Sequence, residues 1–359
     1  MAERRGALPS ELEETFEKYA EGARIMSEGA RASTGQTFKE EIWAKNKARL
    51  YRYAPGAEKK YPVPILLIYA LINKPYILDL MPGNSLIEYL TDQGFDVYLL
   101  DWGVPGDEDE DLCFEDYVFD YIRPAVKRVL RTSRADEYTL FGYCMGGTIA
   151  VMYASLFPEK LKNLALLTAP VDFAPENTGL LGLWTSEKRL DPDLFVESFG
   201  NIPSELIDNG MQMLKPVTNY VGSHATMWEC LLEDKPMETW AAMNKWVKDG
   251  TPFPGGAFKQ WIRDFYQHNK LVKGEIELRG RRVDLSNIIC PLLNIVGEKD
   301  HICLLPQAEA TMDLVSSEDK EFFALDAGHV GLMISREAKK GLWPKLNTWL
   351  AERSGAKKS

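Results

Sequence analysis

A cysteine in a glycine-rich turn is the part of this sequence best suited to chemistry. Cys144 lies in the run Gly142-Tyr143-Cys144-Met145-Gly146-Gly147, between an apolar segment and a helical one. This strand, sharp turn and helix context is that of a nucleophile elbow, G-x-S-x-G, with cysteine in place of serine. The glycines leave room where two backbones crowd, and the start of a helix favours a thiolate. The competing interpretation is a structural cysteine buried at a helix start.

A nucleophilic thiol needs a base, and the base needs an orienting acid. The order nucleophile, acid, histidine selects Asp300 and His329, each in a loop that follows a predicted strand. Both loops leave the carboxyl ends of parallel strands, which is the edge that also carries the elbow. Several alternatives stay open: His301 as the base, and Glu298 or Asp326 as the acid. His224 and His268 are interpreted as surface or core residues, and Cys290 and Cys303 as packing residues.

Backbone N–H groups are predicted to stabilise the oxyanion of the acyl-transfer intermediate. Met145, directly after the nucleophile, supplies one of them. The second is expected from the loop after the first buried strand, at Ile72 or its neighbour Leu71. This loop lacks the H-G-G-G of lipases, so the assignment depends on position alone.

Alternating strands and helices predict the scaffold that positions these residues. Predicted strands cover 65–70, 96–101, 138–141, 161–168, 291–296 and 321–325, and predicted helices cover 85–93, 114–131, 145–157, 306–315 and 336–352. Such alternation indicates an α/β protein with a mostly parallel, doubly wound sheet. Together with the elbow, it predicts an α/β-hydrolase fold, formed by residues 61–172 and 287–359.

Two segments interrupt or precede this alternation. Residues 173–286 contain five of the nine tryptophans and predict a mostly helical cap, whose aromatic side chains could wall an apolar pocket. Residues 1–60 are predicted to be an N-terminal helical segment. An apolar stripe from Leu12 to Met26 predicts its first helix, and a capping-box pattern of Thr37 and Glu40 predicts its second. These helices either pack on their own protein or dock a partner.

Composition narrows the functional class. The chain has 359 residues with 53 acidic and 42 basic side chains, a net charge of −11 that argues against general binding to nucleic acid or to an anionic membrane. Five cysteines without a C-x-x-C pair support neither a zinc site nor a disulfide framework, and a reducing cytosol is expected. Met1 to Ser10 has no apolar signal-peptide region, and the longest apolar run, Pro62 to Ile72, is too short for a membrane span.

Cysteine in place of serine favours acyl transfer over hydrolysis. A thiol nucleophile forms a thioester, so transfer from a thioester donor is nearly isoenergetic and the acyl group stays activated toward a hydroxyl. Coenzyme A is the commonest donor of this kind. The cap would have to exclude water for transfer to compete with hydrolysis.

Six motifs together resemble those of polyhydroxyalkanoate synthases. They are the elbow, Tyr69 to Leu80, Val97 to Gly103, Trp261 to Tyr266, Gly297 to His301 and Gly328 to Gly331. The length is similar to that of the short catalytic subunits of class III and class IV, and Met81-Pro82-Gly83-Asn84-Ser85-Leu86 resembles class IV more closely.

The resemblance implies polymerisation of (R)-3-hydroxyacyl-CoA into a polyester with release of CoA. Cys144 would carry the growing chain, His329 would take the thiol proton, and Asp300 would orient His329 or help to activate the incoming hydroxyl. Asn73, His301 and Trp102 are candidates for the substrate pocket. No metal and no cofactor is expected, because CoA enters as part of the substrate and leaves as a product.

The family also implies partners and a location. A second synthase subunit of the PhaR or PhaE type is expected, in a homodimer or hetero-oligomer at the surface of polyester granules in the cytoplasm. Two other functions stay open: a cysteine-nucleophile hydrolase of the thioesterase or dienelactone-hydrolase kind, and an inactive granule-associated scaffold.

Overall fold

An eight-stranded sheet forms the centre of the protein. The computed structural model describes residues 10–28, 31–56 and 59–355, so most of the stretch predicted to carry no signal peptide lies outside the described residues. The strands are β1 (Glu40–Lys45), β2 (Ala48–Tyr53), β3 (Ile65–Ile68), β4 (Val97–Asp101), β5 (Tyr138–Tyr143), β6 (Leu161–Leu167), β7 (Leu292–Gly297) and β8 (Lys320–Leu325). Their spatial order is β1-β2-β4-β3-β5-β6-β7-β8.

Strand direction follows the prediction of a mostly parallel sheet. β2 runs antiparallel to β1 and to β4, and all the remaining neighbours are parallel. The central strands β3, β5 and β7 are buried at every residue, which explains why they are mostly apolar and do not alternate. The sheet therefore presents all its parallel carboxyl ends at one edge, where loops can meet.

Helices connect the parallel strands or follow the last of them. They span Leu86–Asp92, Phe114–Asp116, Tyr117–Ile122, Arg123–Ser133, Met145–Leu156, Leu305–Glu309, Thr311–Leu314, Gly331–Ile334, Ala338–Leu342 and Trp343–Arg353. The chain steps from β3 to β4 in one direction across the sheet and then from β5 to β8 in the other. Because such crossovers are right-handed, the helices of the two directions cover opposite faces. The doubly wound arrangement predicted from the sequence is thereby explained.

The prediction of a second N-terminal helix from Thr37 is wrong. Residues 40–53 instead form the β1–β2 hairpin, and the side chain of Thr37 donates to Asp79 Oδ1 at 2.6 Å rather than capping a helix. Within β2, Ala48, Leu50 and Tyr53 are buried and the residues between them are not, which matches a half-buried strand. The turn has Asn46 at a φ of 51°, a conformation that asparagine tolerates. The helical segment predicted for 1–60 is thus helical only at Ser10–Glu28 among its described residues.

The insertion after β6 is mostly helical, as predicted. Its helices span Gly179–Thr185, Pro192–Phe199, Ser204–Met213, Val217–Gly222, Ser223–Leu232, Glu238–Lys248, Gly255–Gln260 and Trp261–Gln267. At its base, Phe173 makes edge contacts with Trp261 and Phe265 at ring distances of 5.2 and 5.4 Å. The division of the chain at 60/61, 172/173 and 286/287 stays a prediction.

Helix α1 (Ser10–Glu28) packs on the cap. The Tyr19 ring lies 5.5 Å from that of Trp228, and Lys18 forms a 2.7 Å ion pair with Asp234. Leu12 and Phe16 are exposed, so part of the apolar stripe is left uncovered. Within the ranges described, no helix combines the length and apolarity needed to cross a bilayer.

Candidate active site

Cys144 occupies a strained turn between β5 and the helix Met145–Leu156. Its φ and ψ are 56° and −135°, a conformation that a residue with a Cβ adopts rarely and at functional sites. The glycines around it are required by space. A Cβ on Gly142 would lie 2.5 Å from Gly147 Cα, and one on Gly146 would lie 2.5 Å from Ile68 O. The sequence therefore folds here into the tight elbow that the motif predicts.

Asp300 and His329 lie together at the same edge of the sheet. Asp300 follows β7 and His329 follows β8, and the two strands are parallel neighbours. His329 Nδ1 and Asp300 Oδ2 are 2.7 Å apart, and both side chains are buried. With Nδ1 donating to the carboxylate, Nε2 is the ring nitrogen left for a thiol or a substrate proton.

The carboxylate of Asp300 has further partners. Thr168 donates its hydroxyl to Oδ2, and the backbone N–H groups of Ile302 and Cys303 donate to Oδ1 at 2.8 and 3.0 Å. Burial disfavours the charged carboxylate, but His329 and these donors outweigh burial and lower the pKa of Asp300 below its usual value. Asp300 is thus held as an anion in a fixed orientation.

The environment of His329 favours its charged form. Burial opposes the charge, but Asp300 and Cys144 together raise the pKa of His329 well above its usual value. The Tyr143 hydroxyl donates to the His329 carbonyl at 3.1 Å, and the two rings stack at 5.4 Å. Cys144 and Asp300 therefore both interact with His329, which is the arrangement expected for a nucleophile, base and orienting acid.

The alternative acids and histidines lie elsewhere. Glu298 is exposed, and Asp326 is exposed and forms a 2.5 Å ion pair with Lys299. His268 lies 3.1 Å from Glu187 on the cap, and His224 is exposed there. Within the described part of the chain, none of these four side chains forms a hydrogen bond or an ion pair with His329.

His301 lies beside the Asp300–His329 pair. Burial, reinforced by Lys215 of the cap, lowers the pKa of His301 below its usual value. The charge of Asp300 opposes this shift, and the charge of His329 adds to it. Its Nδ1 is buried and has no hydrogen-bond partner among the described residues. A neutral imidazole with an unused nitrogen is suited to a pocket that binds a polar substrate group.

The two predicted oxyanion donors have free N–H groups. Neither Met145 N nor Ile72 N donates a hydrogen bond within the described residues. The strand end that precedes Ile72 packs on the elbow, since a Cβ on Gly146 would meet Ile68 and Tyr69. Next to Ile72, Asn73 forms a β-bridge with Gly250 of the cap.

Trp102, also predicted to line the pocket, contacts and supports the segment that follows β3. Its indole N–H donates to the Tyr69 carbonyl at 2.9 Å, and its ring packs edge-on against Tyr117 and Tyr121. Trp102 therefore holds the segment after β3 from the side of β4, and its place in the substrate pocket stays a prediction.

Several residues around the sulfur were not among the predicted site residues, although Cys303 was interpreted as a packing residue and is buried. Burial is the main cause that raises the pKa of Tyr69, Tyr266 and Cys303, and a negative charge on Cys144 adds to it in each case. Thr168, the partner of Asp300, was missed as well, although its position at the carboxyl end of β6 was a usable signal. Tyr266 belongs to the cap, so the cap contributes to the surroundings of Cys144.

Comparison with known proteins identifies the family. Residues 63–335 match the family model of the alpha/beta hydrolase fold, and residues 33–90 match that of the poly-beta-hydroxybutyrate polymerase (PhaC) N-terminus. The poly(3-hydroxyalkanoate) polymerase subunit PhaC of Haloferax mediterranei is 42% identical over 345 residues, which make up 96% of this chain and 69% of that protein. The PhaC subunit of Allochromatium vinosum is 36% identical over 349 residues, 96% of this chain and 97% of that protein.

This chain belongs to the PhaC family. The predictions of a short PhaC catalytic subunit and of an acyltransferase are confirmed. The names of the relatives do not separate class III from class IV, so the closer likeness to class IV stays a prediction.

Solved structures share the fold at low sequence identity. Epoxide hydrolase A of Mycobacterium thermoresistibile superposes with a TM-score of 0.52 at 17% identity, covering 90% of this chain and all of that one. The monoacylglycerol lipase of Paleococcus ferrophilus gives 0.50 at 17% identity, covering 85% of this chain and 99% of that one. The predicted α/β-hydrolase fold is confirmed, and this PhaC chain differs from the serine pattern by its Cys144.

Proposed function

We propose that this PhaC chain polymerises (R)-3-hydroxyacyl-CoA by holding the acyl group as a thioester on Cys144. The observation that carries the proposal is the placement of Cys144 beside a His329 that is oriented by Asp300 at 2.7 Å. A thioester on Cys144 keeps the acyl group reactive toward a hydroxyl, which is what chain growth requires.

In the first half-reaction the enzyme is acylated. His329 takes the thiol proton, and the sulfur of Cys144 attacks the thioester carbonyl of the substrate. The N–H groups of Met145 and Ile72 stabilise the oxyanion that forms. The carbon–sulfur bond to CoA then breaks, and CoA leaves with the proton from His329, so that one thioester has replaced another.

In the second half-reaction a hydroxyl attacks the enzyme thioester. The 3-hydroxyl of another hydroxyacyl-CoA loses its proton to the base, an ester bond forms as the carbon–sulfur bond to Cys144 breaks, and the proton returns to the sulfur of Cys144. The lengthened acyl-CoA then acylates Cys144 as in the first half-reaction, and its CoA is released. We assign this base to His329 rather than Asp300. The Asp300 carboxylate is fully buried and accepts from four donors, so it has no free position for a substrate hydroxyl.

A second synthase subunit, of the PhaR or PhaE type, completes the proposed enzyme at the surface of polyester granules in the cytoplasm. Support comes from the relatives, which are named subunits of a polymerase. The uncovered apolar side chains Leu12 and Phe16 on α1 give such a partner a place to bind.

The test is mass spectrometry of the purified chain after brief exposure to (R)-3-hydroxybutyryl-CoA, with and without a PhaR- or PhaE-type subunit. We expect acyl adducts on the peptide that contains Cys144, growth of these adducts in hydroxybutyrate steps, and one CoA released per step. Cys144→Ala should form no adduct, whereas Cys230→Ala, altered in the cap, should behave like the wild type. Free hydroxybutyrate without chain growth would indicate a hydrolase, and no CoA release under any condition would indicate a scaffold.

A further inference from the structure

A strap of the cap, residues 249–253, is bound to the loop that carries Ile72. Thr251 Oγ1 donates to the Leu71 carbonyl at 2.7 Å, and Thr251 N donates to the Ile72 carbonyl at 3.1 Å. One residue of the cap therefore holds both peptide units that flank Ile72. Thr251 is only 2% exposed, so water does not compete for these bonds.

The bond to Leu71 fixes the direction of the Ile72 N–H. The carbonyl of Leu71 and the N–H of Ile72 belong to the same planar peptide unit and point in opposite directions. Holding the carbonyl on the cap side therefore directs the N–H away from the cap strap. A hydrogen bond accepted by the carbonyl also polarises the N–H of the same peptide, which makes it a better donor.

The rest of the strap anchors this contact at both ends. Asp249 forms a 2.7 Å ion pair with Lys74 and accepts from the Tyr76 hydroxyl at 3.1 Å. On the other side, Phe253 exchanges two backbone hydrogen bonds with Ile202 of the cap, at 2.8 and 2.9 Å. The hydroxyl of Thr251 therefore contacts Leu71 from a segment that is held in place at both ends.

We propose that Thr251 is a positioning residue for acyl transfer, whose hydroxyl orients the Leu71–Ile72 peptide so that the Ile72 N–H meets the oxyanion formed at Cys144. The inference rests on the proposed function, in which Ile72 is an oxyanion donor. Acyl transfer then depends on the cap, because the oxyanion site is complete only when the strap is bound to the loop that carries Ile72.

Thr251→Val tests the proposal, because valine keeps the shape and the backbone N–H but removes the hydroxyl. Two rates at Cys144 are compared in the full chain: acylation by (R)-3-hydroxybutyryl-CoA and alkylation by iodoacetamide. Alkylation forms a carbon–sulfur bond as iodide leaves, and no oxyanion arises. We expect acylation to slow about 10- to 100-fold with little change in KM, and alkylation to stay within twofold of the wild type.

Thr251→Ser, which keeps the hydroxyl, should restore most of the acylation rate, and thermal unfolding monitors the fold of each variant. If Thr251→Val does not fold, the pair Thr251→Ala and Thr251→Ser gives the same comparison. Equal acylation by Val and Ser variants, or a proportional loss of both rates, would overturn the assignment of Thr251 while leaving acylation of Cys144 intact. A wild-type chain that CoA thioesters never acylate would overturn the proposed function and this inference with it.

Discussion

His329 Nδ1 lies 2.7 Å from Asp300 Oδ2 although 29 residues separate the two in the chain. The contact exists because β7 and β8 are parallel neighbours whose following loops leave the same edge of the sheet. Burial of both side chains makes the charges of the pair interdependent, since neither is well solvated.

Replacing Asp300 by asparagine should lower the pKa of His329. Asp300 is the main group that raises this pKa, and without it only Cys144 opposes the effect of burial. An NMR titration of the ring signals measures the change, and four histidines are few enough to assign by substitution. Asp326→Asn is the matched control, because Asp326 is exposed and paired with Lys299. A His329 titration that is the same in both variants would contradict the prediction.

His329→Gln should destabilise the fold by about 3–5 kcal/mol, because it leaves a buried carboxylate unpaired. The pKa of His329 is raised in the folded state, so its contribution is full below about pH 6.5 and is lost as the pH rises through the folded value. The pKa of Asp300 is lowered, so its contribution is present above about pH 3.9 and is lost as the pH falls through the folded value.

The loss of stability should therefore be greatest between about pH 4 and 6.5, as measured by denaturant unfolding across pH. His268→Gln, which alters an exposed histidine beside Glu187, should change the free energy of unfolding by less than about 1 kcal/mol. If the loss in the free energy of unfolding instead increased steadily as the pH rose into the alkaline range, the prediction would be contradicted.

Gly146→Ala should disrupt the elbow. Its Cβ would lie 2.5 Å from Ile68 O and Tyr69 C, and backbone atoms cannot rotate away as a flexible side chain can. We expect a loss of about 2 kcal/mol or more in the free energy of unfolding, together with slower acylation. Gly210→Ala lies in a cap helix with nothing within 4 Å of the added atom, and it should be neutral or stabilising by up to about 1 kcal/mol. Similar losses in both variants would refute this explanation.

The cysteines should differ sharply in their reaction with iodoacetamide. Burial, with help from Asp116, raises the pKa of Cys113 to about 11, and burial raises that of Cys290 to about 12. At pH 8 a thiol with a pKa of 11 is only about one-thousandth thiolate, so both should react slowly. Cys303, whose pKa burial also raises, should do the same. Peptide mapping over time should find Cys144 labelled first, and rapid labelling of Cys303 would contradict the structure.

The core fold was predictable from sequence because its signals are local. Strands such as β3 are short apolar runs, and the glycines around Cys144 mark a turn that few other residues permit. The hairpin of β1 and β2 was missed because Thr37 and Glu40 match a capping box, whereas burial against β4 decides the outcome. Local propensity lost to tertiary contact there.

Part of the candidate site could also be predicted from the sequence. Chain order and strand ends were enough to select Cys144, Asp300 and His329. The carboxyl end of β6 was a signal for Thr168, but nothing local indicated Thr251, whose contact with Leu71 joins residues more than 100 positions apart. Nor could position alone show that Trp102 donates to the Tyr69 carbonyl.

The two outer strands of the sheet also bear on how this PhaC chain behaves when crowded. β1 ends one side with exposed Glu40 and Glu41 and a bulge between Glu41 and Trp43. On the other side, Glu321 in β8 pairs with Lys345, so charged side chains of the last helix flank that edge. Charge and irregularity discourage strands of neighbouring molecules from adding to an open sheet. Many copies could then gather side by side on one surface without fusing into aggregates.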